Sequence, residues 1–154
     1  MARYRRDYFI EVPDDGLPAN EVGPWAEDKY RYVGMYAEIF STGMKKVWDK
    51  RVYLDLFSGP GHSKVRGKNK VVLGSPMIAL NVPDRFDSYI FADEDAAKLD
   101  ALKTRVDRID PRPDVTYIRG DTNTVADQLM AAIPSRPKRS LSFCFLDPYN
   151  LDIH

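Results

Sequence analysis

A chain of 154 residues with 23 basic and 23 acidic side chains has no net charge, so it does not attract nucleic acid or an anionic surface as a whole, and any such contact must come from a local patch. Its 44% hydrophobic and 30% charged residues are ordinary globular composition, and the length suffices for one domain with a proper core. The single Cys144 excludes an internal disulfide and a multi-cysteine metal site, and no apolar run reaches the length of a membrane span or forms a signal peptide, so a cytoplasmic protein without a membrane partner is expected.

Residues 1–23 are polar and broken by Pro13, Gly16, Pro18 and Gly23. They read as an N-terminal arm, with Tyr8-Phe9-Ile10 as the part that would dock on a body formed by residues 24–154. A helix is expected from about Pro24-Trp25, since proline suits a first helical turn. Val33, Tyr36, Ala37 and Phe40 form its apolar face, and Ser41-Thr42-Gly43 is expected to end it.

Val52 to Phe57 is rich in β-branched and aromatic residues and reads as a buried strand. It breaks into Ser58-Gly59-Pro60-Gly61, where the missing Cβ atoms let a main chain approach a ligand closely. Residues 62–70 are polar and basic and read as a mobile loop. Lys64, Arg66, Lys68 and Lys70 within it suit phosphate contacts, but the plainer expectation is a solvated charge run. Ser75 is the expected N-cap of a short helix, with Pro76 at its first position.

Ser88–Ala92 is the second strand and ends in Asp93-Glu94-Asp95; residues 96–106 then have helical periodicity. Val115–Ile118 is the third strand, ending in Gly120-Asp121, and a helix is expected from Thr122 to Ile133. Leu141–Leu146 is a continuous apolar strand, as when both faces of a parallel sheet are covered, and Cys144 within it reads as a buried apolar residue. It ends in Asp147-Pro148-Tyr149-Asn150.

Strands alternating with helices specify α/β architecture, and right-handed crossovers make the sheet parallel. The expected fold is Rossmann-like, with strand order 3-2-1-4. All four carboxyl ends then share one edge, and ligands bind where the order reverses. A carboxylate after the second strand can accept both ribose hydroxyl protons. Asp93 is the first candidate, with Glu94 or Asp95 as alternatives; the competing reading is that these acids cap the next helix. Asp121 suits the exocyclic amine of an adenine or, equally, a helix cap. Asp147 can orient an acceptor amine and Tyr149 can stack on a flat base; the plainer reading is a strand exit with a packed tyrosine. His62 and His154 lack the spaced partners of a metal site, and no metal is expected.

Trp25 with Lys29, Asp55-Leu56-Phe57-Ser58-Gly59-Pro60-Gly61, Gly74-Ser75-Pro76, Phe91-Ala92-Asp93-Glu94-Asp95, Gly120-Asp121 and Leu146-Asp147-Pro148-Tyr149 together resemble the three-Cys-motif partner protein family, from about Val22 onward. The resemblance implies a class I S-adenosylmethionine methyltransferase fold. It implies a cofactor seat made by Asp55, Phe57, Ser58, Gly59 and Gly61 at the methionine end, Asp93 and Glu94 at the ribose and Asp121 at the adenine. Asp147, Pro148 and Tyr149 would then face the acceptor. A radical-SAM-like protein with three cysteines is the implied partner. In amine-directed nucleic-acid methyltransferases two prolines precede the aromatic residue of this last motif; here Tyr149 follows one. A class I sheet has seven strands and four are legible here, so the chain is expected to be the N-terminal part of such a domain, lacking the C-terminal strands.

Two functions follow as expectations. One is methyl transfer from S-adenosylmethionine, to an amine in nucleic acid. The alternative is a non-catalytic Rossmann-like subunit that binds the three-cysteine protein. A nicotinamide-dependent dehydrogenase fits less well: position 64 is lysine where the third glycine would stand, and Asp93 lies far beyond the usual acid spacing.

Overall fold

A computed structural model describes residues 6–121, 123–133 and 139–147. The elements in chain order are β1 (Glu11–Val12), β2 (Asn20–Val22), α1 (Ala26–Met44), β3 (Lys50–Asp55), β4 (His62–Val65), β5 (Val71–Leu73), α2 (Ser75–Leu80), β6 (Ser88–Asp93), α3 (Ala96–Asp107), β7 (Val115–Arg119), α4 (Ala126–Ala132) and β8 (Ser140–Phe145). The architecture is α/β. Its main sheet has the order β7-β6-β3-β8, with every neighbouring pair parallel. No described helix is long and apolar enough to cross a membrane.

The main sheet is covered on both faces. Alternate residues of a strand point to opposite sides, so Tyr53, Tyr89 and Phe91 meet α1, α2 and α3 on one face. Val52, Leu54, Ile90 and Ala92 meet Val125 and Leu129 on the other. That is why Val52-Tyr53-Leu54 of β3 and Tyr89-Ile90-Phe91-Ala92 of β6 are apolar at consecutive positions. An aromatic group fills the first face. The Tyr53 ring stacks on Phe143 at 5.7 Å and meets Phe86 edge-on at 5.3 Å, while Phe40 of α1 reaches Phe143 at 5.1 Å.

The arm and the basic stretch fold differently from the sequence expectation. Residues 62–73 contain an antiparallel pair, β4 with β5, in place of a mobile loop. The arm adds β1 beside β5 and β2 beside β4, which makes a second sheet of order β1-β5-β4-β2. Lys64 points outward while Val65, Val72 and Leu73 enter the core. The cations of this stretch meet acids of the arm: Lys64 with Asp14 at 3.3 Å, Arg66 with Glu21 at 3.1 Å and Lys70 with Glu11 at 3.8 Å. Exposed pairs of this kind contribute about 0–1 kcal/mol each, so they align the arm more than they stabilise it. Tyr8 is buried, and its hydroxyl donates to the Glu38 carboxylate of α1.

Arg105 of α3 makes the strongest tie between arm and body. Its side chain is 2% exposed. It donates to both Asp15 oxygens, at 2.7 and 3.0 Å, to the Pro18 carbonyl at 2.7 Å and to the Leu17 carbonyl at 3.3 Å. It also donates to the Pro60 carbonyl of the glycine turn at 2.7 Å. One guanidinium therefore joins the arm, the turn and α3, and its planar fork of five donors suits that task. It holds the Asp15 carboxyl well below the usual carboxylate range.

Several boundaries move for physical reasons. α1 continues through Ser41-Thr42-Gly43 to Met44, because Ser41 and Thr42 are tied to Asp84 and the Ser41 carbonyl accepts from buried Arg51. Gly74, not Ser75, is the N-cap of α2; the Ser75 hydroxyl donates to Asp55 at 2.5 Å instead. α4 starts at Ala126, later than expected, since the Asn123 N–H turns back onto the Asp121 carboxylate at 2.8 Å. β8 lies at the sheet edge with one side half-buried and the other exposed, so Cys144 is exposed rather than buried.

Replacing Arg105 with Met removes five hydrogen bonds, takes from Asp15 its bidentate partner and leaves the Pro18 and Pro60 carbonyls without that donor. The expected loss is about 3 kcal/mol or more of unfolding free energy, read as a lower midpoint in urea denaturation.

Candidate functional site

A cleft of about 780 Å³ opens at the carboxyl edge of the main sheet. Its floor and walls come from four places. The glycine turn after β3 contributes Phe57, Ser58, Pro60 and Gly61; the ends of β6 and β7 contribute Asp93, Glu94, Gly120, Asp121 and Asn123. The arm and α1 contribute Asn20, Glu21, Val22, Gly23, Trp25, Lys29 and Tyr30, and β8 delivers Asp147.

The glycine turn is shaped by its own surroundings. Gly59 has φ +63° and Gly61 φ +92°, a region that side chains with a Cβ rarely adopt. A Cβ on Gly59 would stand 2.6 Å from Asn20 Nδ2, and one on Gly61 2.9 Å from Leu102 Cδ1. The space that the sequence suggests for a ligand is thus partly taken by the arm and by α3. The turn is also latched to β6: the Ser58 N–H donates to the Ala92 carbonyl at 3.0 Å, and the Gly59 N–H donates to Asp93 Oδ2 at 2.9 Å.

The three acids after β6 separate into distinct positions. Asp95 caps α3, accepting from the Ala97 and Lys98 N–H groups at 2.9 and 3.3 Å. Asp93 is not a helix cap. Its oxygens accept from Gly59 and Asp95 main-chain N–H groups, each at 2.9 Å, which fixes its plane at the cleft wall with further lone pairs available. Glu94 is exposed beside it. Asp121 accepts from Asn123 in a local turn and lines the same wall.

Asp55 and Gly59 do not line the cleft. Asp55 is fully buried beneath the turn, with Ser75 as its hydrogen-bond donor. Burial pushes its carboxyl up to about 7; the Ser75 hydrogen bond opposes this, and the negative Asp147 and Asp93 add to it. Nearby, the buried Tyr30 hydroxyl and Ser63 Oγ are 2.8 Å apart, and burial raises the Tyr30 pKa. Asp147 meets Lys29, whose Nζ donates to Oδ2 at 2.5 Å across 118 residues of chain. Pro148 and Tyr149, expected beside it, lie outside the described residues, as does His154.

Sequence reasoning missed the arm wall and gave no role to Lys29, Tyr30 or Ser63. Strands of two and three residues carry no periodic signal; the one legible hint was the match between acids in the arm and cations in 62–70. His62 also lines the cleft, next to Asp15 at 3.9 Å, and burial followed by the Arg105 charge lowers its pKa. Five carboxylates and three lysine or arginine side chains line the space, so its field favours a cation. Comparison with family models, curated proteins and solved structures returned no match.

The buried carboxyl gives a pH test. From pH about 4 to about 7, folded Asp55 keeps a proton that the unfolded chain has lost. Stability therefore falls as pH rises through that window, by roughly 4 kcal/mol at most. Asp55→Asn does not titrate, so the difference between wild type and this variant, measured by urea unfolding at pH 4.5 and pH 8, should shift against the wild type at the higher pH.

Proposed function

We propose that the chain is an S-adenosylmethionine-dependent methyltransferase domain of Rossmann-like class, and that the cleft at the carboxyl edge of the main sheet is its cofactor seat. The observation that carries this reading is the Gly59 N–H held by Asp93 at the wall of an acid-rich cleft. A carboxylate fixed at the end of the neighbouring strand suits the two hydroxyls of a ribose. The charge decides between nucleoside ligands. The excess of acids over lysine and arginine in the lining disfavours the pyrophosphate of a dinucleotide and favours S-adenosylmethionine, whose sulfonium and ammonium outweigh its one carboxylate.

The residues fit that cofactor by chemistry. Asp93, with Glu94 beside it, would hold the ribose, and Asp121 the amine edge of the base. The main chain at Ser58 and Gly61 would border the methionine end, with Asp55 supporting the turn from below. When bound, S-adenosylmethionine supplies a methyl group already activated by its positive sulfur. The protein then has mainly to align a nucleophile with it, which accounts for the lack of an evident acid–base pair. Asp147 would accept a hydrogen bond from an acceptor amine and orient its lone pair, and an amine in nucleic acid remains the proposed acceptor. The Lys29 ammonium now engages the same carboxylate, so an incoming amine shares or displaces that contact.

A second reading has its own support. Tyr32, Tyr36 and Ile39 form an exposed stripe on α1, so Tyr36 faces outward instead of joining the apolar face expected of it, and the two tyrosine rings stack at 6.4 Å. Such a face suits a subunit that docks a partner, and the family resemblance suggests a three-cysteine radical-SAM-like protein. Co-purification with that protein, with no methylated product from labelled S-adenosylmethionine, would favour this role.

Calorimetry with S-adenosylmethionine is expected to give one-site binding, weakened about tenfold or more in Asp93→Asn through loss of a charge-assisted hydrogen bond. NAD should give no heat. An absent signal in the wild type, or equal affinity in the variant, overturns the cofactor assignment.

A further inference from the structure

The flank of the cleft opposite the ribose wall presents a second set of groups. β7 and β8 are the two outer strands of the main sheet, three strand spacings or roughly 14 Å apart. Asp121 follows the first and Asp147 the second, so the Asp147 flank is a place of its own. It holds Trp25, Lys29 and Asp147.

Trp25 is seated, not loose. A Cβ on Gly23 would fall 2.0 Å from the ring, so the indole packs directly on the Gly23 main chain. The residue is nevertheless 69% exposed at the cleft wall, which leaves most of the ring open. Beside it, the Lys29–Asp147 pair places a donor next to an acceptor. The ammonium has three protons and gives one to Asp147; the carboxylate has two oxygens, and the contact uses Oδ2. The pair is partly exposed, at 34% and 40%, so a ligand edge can reach it. An open aromatic face with an adjoining donor–acceptor edge matches a flat heterocycle that offers an acceptor beside a donor.

We propose that this flank is a subsite for a planar nitrogen heterocycle of nucleobase type, with Trp25 as the stacking platform and Lys29 and Asp147 as the pair that reads its edge. Its occupant's role as methyl acceptor rests on the methyltransferase reading; its binding does not. Stacking on a seated indole tolerates many flat rings, and selectivity comes from the edge, because a ring without a donor offers nothing to Asp147 Oδ1, the oxygen that the Lys29 contact does not use.

The sequence has two tryptophans, so Trp48→Phe leaves Trp25 as the sole indole reporter. In that background, cytidine, whose amine adjoins a ring nitrogen acceptor, should quench the emission in a saturable way. 1,3-Dimethyluracil, equally flat but without an N–H donor, should bind at least tenfold more weakly. Lys29→Met should weaken cytidine about tenfold while circular dichroism and the unfolding midpoint report an intact fold. Unsaturable quenching, equal binding of the two rings, or unchanged affinity in a folded Lys29→Met protein overturns the subsite. These titrations contain no S-adenosylmethionine: cytidine binding without cofactor binding sinks the methyltransferase reading alone, and the reverse result sinks the subsite alone.

Discussion

The site depends on one buried guanidinium. Arg105 reaches across three segments that are far apart in sequence, holding Asp15, Leu17 and Pro18 of the arm on one side and Pro60 of the glycine turn on the other. A buried cation is costly unless every donor is matched, and here carboxylate and carbonyl oxygens surround it. The same requirement makes the arrangement specific. Asp15, Leu17 and Pro18 all reach the one guanidinium, which ties the wall that carries Asn20, Glu21 and Val22 to the place where the turn meets it.

Burial then gives chemically similar residues different work. Asp55 and Asp93 stand at the ends of adjacent strands, yet the first is sealed under the turn with a raised pKa and the second stands at the cleft wall, held by main-chain N–H groups. Asp95, two residues further on, caps a helix. Their separation follows from register and from where the next helix begins, not from the residue type: Asp93 lies two residues beyond Phe91, the register partner of Asp55, and α3 starts just after it.

The cleft has two flanks because the sheet has two outer strands. The glycine turn sits after β3, in the interior of the order β7-β6-β3-β8. Acids after β6 and β7 are gathered on one side of it and the Lys29–Asp147 pair on the other. Tyr30, Ser63, Ser75 and Asp55 lie between as a largely buried polar layer. A ligand spanning the cleft would therefore meet oriented carboxylates at one end and an open aromatic ring at the other.

The sequence alone determined the alternation of strands and helices, since hydrophobic period and turn residues act over a few neighbours. It also marked the polar strand ends around Ser58–Gly61, Asp93, Asp121 and Asp147, because chain breaks need glycine, proline or aspartate whatever lies beyond them. Local pattern was silent on the rest. The hairpin of β4 and β5 looked like a loop because its partners are two- and three-residue strands from the arm, and its lysines looked solvated because their acids are distant in sequence. Ser75 had the local credentials of a cap, but a buried carboxylate competed for its hydroxyl and won. Cys144 looked buried because an apolar run does not say which strand stands at an edge. Only the tertiary structure decided these points, since each rests on a contact between residues that sequence distance keeps apart and packing brings together.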